Sequence, residues 1–225
     1  ADESVLSRRD ETPPGIERQF EFFNIGNGPC AEFNANDDPF VAASPGSSVV
    51  LGSFLICLPG FDPTSPLHVT LTSPTGETTE FASFETYQDV PYVYHTVPLY
   101  SDTGVFDIVA TQGDVVSEAS VTIEQPQMPL LLLPGRTSGQ RGDSFTLHFA
   151  GHQPRERPRF NVYFGGATDG TFEYLTTVEA PQADALGRSE FVLTTSETDA
   201  PGVYCFIEYR SEFLGCPSGR VVKIS

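Results

Sequence analysis

Apolar residues fall on alternate positions in short runs along this chain, a period of two that puts one set of side chains on one face of a strand. Phe54, Ile56 and Leu58 form one such set, and Phe145, Leu147 and Phe149 form another. Val, Thr, Phe and Tyr fill the runs, as suits a pleated, half-buried surface, and no window carries a sustained helical period. The breaks are supplied by 20 Gly and 19 Pro spread along the sequence, so short strands joined by turns are expected instead of long helices. The chain is predicted to be all-β.

The pattern repeats. Ser53 to Pro63 aligns without a gap on Ser144 to Pro154, 91 positions later, and each segment is an alternating strand ended by a Gly-x-x-Pro turn (Gly60 and Pro63; Gly151 and Pro154). Gly104-Val105-Phe106 matches Gly202-Val203-Tyr204 later in each unit, and short strands at Val121-Thr122-Ile123 and Val222-Lys223-Ile224 close them. Each unit spans about 80 to 100 residues, the size of one β-sandwich. The two prolines in Gln125-Pro126-Gln127-Met128-Pro129 cannot donate ladder hydrogen bonds, which places the junction there. The predicted domains are therefore 44–125 and 126–225, preceded by an arm, 1–43, with no counterpart in the second unit.

From Ser44 to Ser225 this order resembles the bacterial immunoglobulin-like and fibronectin-III-like repeats of secreted and cell-surface proteins. A strand ending in Gly-aromatic-x-Pro and a later Pro-Gly-x-Tyr strand, here Pro201-Gly202-Val203-Tyr204, carry the resemblance. It implies two tandem immunoglobulin-like antiparallel sandwiches and leaves function open, since sandwiches host many unrelated roles. The antibody pattern is not met, as the chain has no Trp.

The N-terminal arm carries one amphipathic strand at 16–23. Ile16, Phe20 and Phe22 share a face with Arg18, against Glu17, Gln19 and Glu21. It is expected either on the first sandwich of its own chain or on a neighbouring subunit, added to a sheet edge as an intersubunit strand.

Charge narrows the partners. A formal charge of −18 with a single lysine, Lys223, excludes the clustered cations that nucleic acid requires. No apolar run approaches the roughly 20 residues of a membrane span. The start at Ala1 without a Met agrees with a processed N-terminus or a trimmed chain. Four Cys with no CxxC spacing speak for disulfides and an oxidising compartment, so a secreted or cell-surface location is expected. Cys57 and Cys205 each lie out of parity with the inward set of their strand. Of three connectivities the simplest joins Cys30 to Cys57 and Cys205 to Cys216; free buried thiols are the alternative.

Candidate chemistry is sparse. Arg141-Gly142-Asp143 spells an integrin-type tripeptide but sits where a turn into a strand is expected. Gly142-Asp143-Ser144 is followed by Phe145 where the trypsin-like motif needs Gly-Gly, and the other hydrolase form of this tripeptide expects an α/β fold that the pattern denies. His148 and His152 are four apart on a strand and its turn, without the helix or glutamate of a zinc motif, and read as a surface pair. Asp37 and Asp38 end an oxygen-rich loop that lacks the glycine and terminal glutamate of a calcium loop. Tyr92 and Tyr94 are candidates for stacking on a sugar ring. No cofactor is implied and the chain reads as non-enzymatic. The expectation is an extracellular structural protein that assembles with copies of itself or other surface proteins, as a pilus-like fibre subunit; the alternative is a glycan- or protein-binding adhesion module.

Overall fold

The computed structural model describes residues 38–85, 92–135, 137–165, 171–209 and 220–225, with Cys30 and Cys216. The predicted arm strand at Ile16, Phe20 and Phe22, and Asp37 of the acidic loop, lie outside them. The described residues fall into two compact units that part between Gln125 and Pro126.

In the first unit the strands are β1 (Ala42–Ser44), β2 (Ser47–Val49), β3 (Ser53–Cys57), β4 (Leu67–Thr72), β5 (Thr78–Phe84), β6 (Tyr92–Thr96), β7 (Gly104–Gln112) and β8 (Val115–Glu124). They form a three-stranded sheet, β1-β3-β6, and a five-stranded sheet, β2-β8-β7-β4-β5. The second unit has β9 (Leu130–Leu132), β10 (Ser138–Gly139), β11 (Ser144–Ala150), β12 (Arg159–Gly165), β13 (Phe172–Glu179), β14 (Ser189–Thr194), β15 (Gly202–Glu208) and β16 (Val221–Ile224). Its sheets are β9-β11-β14 and β10-β16-β15-β12-β13. Counted from the start of each unit, the two strand orders are the same. Both units also share one parallel pair, β2 with β8 and β10 with β16, among otherwise antiparallel ladders. The protein is all-β.

Each unit is a sandwich because the alternating faces meet. In the second, Phe145, Leu147 and Phe149 of β11 pack with Phe160 and Val162 of β12 and with Tyr204 and Phe206 of β15, drawn from the opposite sheet. Fully burying such a side chain stabilises the fold by about 1.5–3 kcal/mol. In the first unit Phe54, Ile56 and Leu58 are equally buried, as their parity requires. The turn after each of these strands is also shared: Gly60 and Gly151 both adopt the left-handed backbone, with φ of 79° and 77°. At Gly151 a Cβ would lie 2.3 Å from the Met128 carbonyl oxygen, so space and backbone both demand glycine.

Disulfides join Cys30 to Cys57, 27 residues apart, and Cys205 to Cys216, 11 apart. Parity alone turns Cys57 and Cys205 outward, yet both are fully buried. At Cys57 the bridge itself accounts for this, since the bonded Cys30 is buried with it. Among the described residues no helix is long and apolar enough to cross a membrane.

Candidate functional site

The strand β6 divides its side chains cleanly. Tyr92 and Tyr94 are 49% and 68% exposed on one face, while Val93 and His95 take the inward parity. His95 pairs with Phe54 across the β3–β6 ladder, with ring centroids 5.2 Å apart. From the opposite sheet, Phe81 of β5 meets the same imidazole edge-on at 4.8 Å. Burial between these rings pushes the His95 pKa below the ordinary histidine value, so the imidazole is neutral at neutral pH.

The second unit carries larger apolar side chains at the matching positions. There the cross-strand partner of Phe145 is Leu193, in the register that pairs Phe54 with His95. Leu71 pairs with Ile108 as Val162 pairs with Phe206. Two residues further on stands Ser73 in the first unit and Phe164 in the second. Phe164 packs on Tyr204 with centroids 5.1 Å apart, and the Tyr204 hydroxyl donates to the Ala200 carbonyl at 2.7 Å. Burial first, then the nearby Asp199 charge, push the Tyr204 pKa to about 12, so the hydroxyl stays a donor.

Where the second unit is filled by an aromatic ring, the first has a serine and a cavity of 530 Å³. Its buried lining is apolar: Phe54, Val97, Phe106 and Ile123. Phe81 and His95 form the wall between the sheets. The exposed lining is polar and acidic, with Glu77, Asp102 and Tyr100, and no Lys or Arg lines it. The β4–β5 hairpin that carries Glu77 is set by Gly76, whose φ of +87° closes the turn, and by the Ser73 amide donating to the Glu77 carbonyl at 2.8 Å. Thr75 Oγ1 donates to Asp102 Oδ2 at 3.0 Å and ties the hairpin to the loop before β7. Chemically this arrangement receives an apolar body and favours positive charge at its opening. The phenyl rings on either side of His95 offer it neither a nucleophile nor a carboxylate to relay a proton.

The other predicted residues are dispersed. Tyr92 and Tyr94 lie on the outward face of β6 and do not line the cavity. Asp38 is exposed. Arg141 and Gly142 are exposed at the tip of a tight turn in which Gln140 and Asp143 bond each other: the Asp143 amide donates to the Gln140 carbonyl at 3.1 Å, and the Gln140 amide to Asp143 Oδ2 at 2.8 Å. That carboxylate is committed to its own turn. The Ser144 hydroxyl pairs with that of Thr194 across the ladder at 2.9 Å. His148 and His152 are not the surface pair expected from their spacing. His148 Nε2 meets Glu190 at 3.4 Å, whereas His152 is buried against Phe149 with Nδ1 3.7 Å from Glu156. The turn after β11 folds His152 under the Ala183–Gly187 segment, where its amide donates to the Gly187 carbonyl. Among the described residues no three acidic, His or Cys side chains group as a metal site. His95 and Ser73 escaped the sequence reading because the signal for them is the pairing register, which links positions far apart in the chain.

No family model and no curated protein matches the chain. Among solved structures it is similar to the native conformation of E. coli alpha-2-macroglobulin, with a TM-score of 0.33 and 13% identity over 75% of this chain and 12% of that one. Salmonella alpha-2-macroglobulin reacted with methylamine gives a TM-score of 0.31 and 14% identity, over 83% of this chain and 14% of that one. The chain spans a small part of either neighbour, and likeness at this level carries no conclusion about activity or partners.

Proposed function

We propose that the chain is a non-catalytic extracellular structural protein built from two tandem immunoglobulin-like β-sandwiches. The observation that carries this is the identical strand order of the two units, with the same parallel pair in each. The Tyr204 hydroxyl bonded four residues back to Ala200 supports the immunoglobulin-like assignment, since that corner recurs in such sandwiches. Two disulfides suit an oxidising compartment.

Within that class the chain acts as a self-assembling fibre subunit that lends its N-terminal strand, Ile16 to Phe23, to a neighbour. The amphipathic alternation of Ile16, Phe20 and Phe22 supports this. Electron microscopy and light scattering of the full chain and of a chain lacking residues 1–23 test it. Oligomers or filaments from the full chain alone are expected; monomers from both at high concentration overturn the fibre role. A second reading, an adhesion module, is favoured by the exposed pair Tyr92 and Tyr94, and a glycan array with the Tyr92→Ala, Tyr94→Ala variant decides it.

A further inference from the structure

We propose that the 530 Å³ cavity of the first sandwich binds a small amphipathic cation, an aryl- or alkylamine whose apolar body lies against Phe81, His95 and Phe106 and whose ammonium meets Glu77 and Asp102. This site is independent of the structural role, because all of it is built from the strands and connecting loops of one unit.

Three observations converge on it. The first is the contrast between the two units. At the matching positions the second unit carries larger apolar side chains, Phe164 packed on Tyr204 and the buried Leu193. The first unit has Ser73 and His95 at those places. Protein interiors are close-packed, and an end left open by two substitutions toward small or polar residues leaves lining atoms without partners.

The second is size and polarity. Ligand pockets run about 300–1,000 Å³ and are mostly apolar with a few placed polar groups. Here Phe54, Val97, Phe106 and Ile123 are buried and apolar, a lining that water satisfies poorly and a hydrocarbon or aromatic body satisfies well.

The third is charge. Both ionisable carboxylates of the lining, Glu77 and Asp102, belong to its exposed part, and no Lys or Arg accompanies them. Tyr100, 62% exposed, lines the cavity with them, and an aromatic ring is a favourable neighbour for a cation. His95 is neutral at neutral pH and so adds no repulsion to an ammonium. Anionic ligands are disfavoured by the same charges. A bare metal ion is disfavoured too, since a hard cation seeks six or more oxygens and this lining is half hydrocarbon.

The test is titration of the full chain with 2-phenylethylamine, followed by calorimetry, with 2-phenylethanol and phenylacetate as uncharged and anionic matches. Amine binding about tenfold tighter than alcohol, with no binding of phenylacetate, is expected from two exposed carboxylates. Ser73→Phe copies the filled end of the second unit and should abolish amine binding in a protein that still melts cooperatively. The exposed pair Glu77→Gln with Asp102→Asn leaves the core untouched and should bring amine and alcohol to within about threefold of each other. Absence of amine binding to the native chain up to about 10 mM overturns the site. Unchanged binding in folded Ser73→Phe overturns its location. Equal binding of amine and alcohol to the native chain overturns the cation.

Discussion

Tyr204→Phe removes one oxygen and nothing else from the core of the second sandwich. The ring stays, still packed on Phe164 at 5.1 Å in a residue only 1% exposed, so no cavity of consequence opens. What is lost is the 2.7 Å bond to the Ala200 carbonyl. A hydrogen bond of this kind contributes about 0.5–1.5 kcal/mol net, and because Ala200 is exposed, water can replace the lost donor at its carbonyl. For a unit of about 100 residues, each kcal/mol lowers the melting temperature by about 4–8 °C. Calorimetry of the full chain should therefore show the second unit's transition shifted down by about 2–12 °C, with the first unit's transition in place. Tyr204→Ala is the companion: loss of a buried aromatic ring costs about 3–5 kcal/mol, clearly more than loss of the hydroxyl. The reasoning is refuted if Tyr204→Phe melts within a degree of the native protein, or if it costs as much as Tyr204→Ala. The first unit holds Phe at the matching position, Phe106, and its transition serves as the internal reference.

Three further outcomes follow from the same geometry. Burial holds both His95 and His148 below the ordinary 6.5, Glu190 opposing the effect at His148. The unfolded chain therefore takes up these protons first, so the contribution is present above pH 6.5 and lost as pH falls through the folded values; melts between about pH 8 and pH 5 should decline, and less so in His95→Leu. Removing the 11-residue bridge by Cys205→Ser with Cys216→Ser should cost about 2.8 kcal/mol, and removing the 27-residue bridge, by Cys30→Ser with Cys57→Ser, about 3.6 kcal/mol, read from denaturant midpoints. Gly142→Ala, at φ +88° with open space around it, should lose about 1 kcal/mol in the same denaturation assay, whereas Gly151→Ala, whose Cβ would meet the Met128 carbonyl, should lose several times more.

How much of this was legible in the chain depends on the range of the interaction that writes it. Strands at Phe54–Leu58 and Phe145–Phe149 are local: a two-residue period needs only neighbours, and the inward residues of both runs are buried as the alternation demands. Strands of two or three residues, such as β2 and β10, are too short to show any period, and they form by pairing in parallel with β8 and β16 at the edge of a larger sheet. Parity places Cys57 and Cys205 on the outer faces of their strands, yet both are buried, because a two-faced description of a strand does not see what covers its outer face. The cavity lies furthest from reach. On β6 the tyrosines draw notice because hydroxylated rings are common at binding surfaces, yet the residue that matters is the His95 that follows them. His95 acquires meaning only when its ladder partner Phe54 is set beside Phe145 and Leu193, and when Ser73 is set beside Phe164. A repeat protein carries its own reference state in the other copy. Equal strand orders make each substitution between copies a natural mutation with a known background. The copy that lacks the filling ring is the one in which a ligand takes its place.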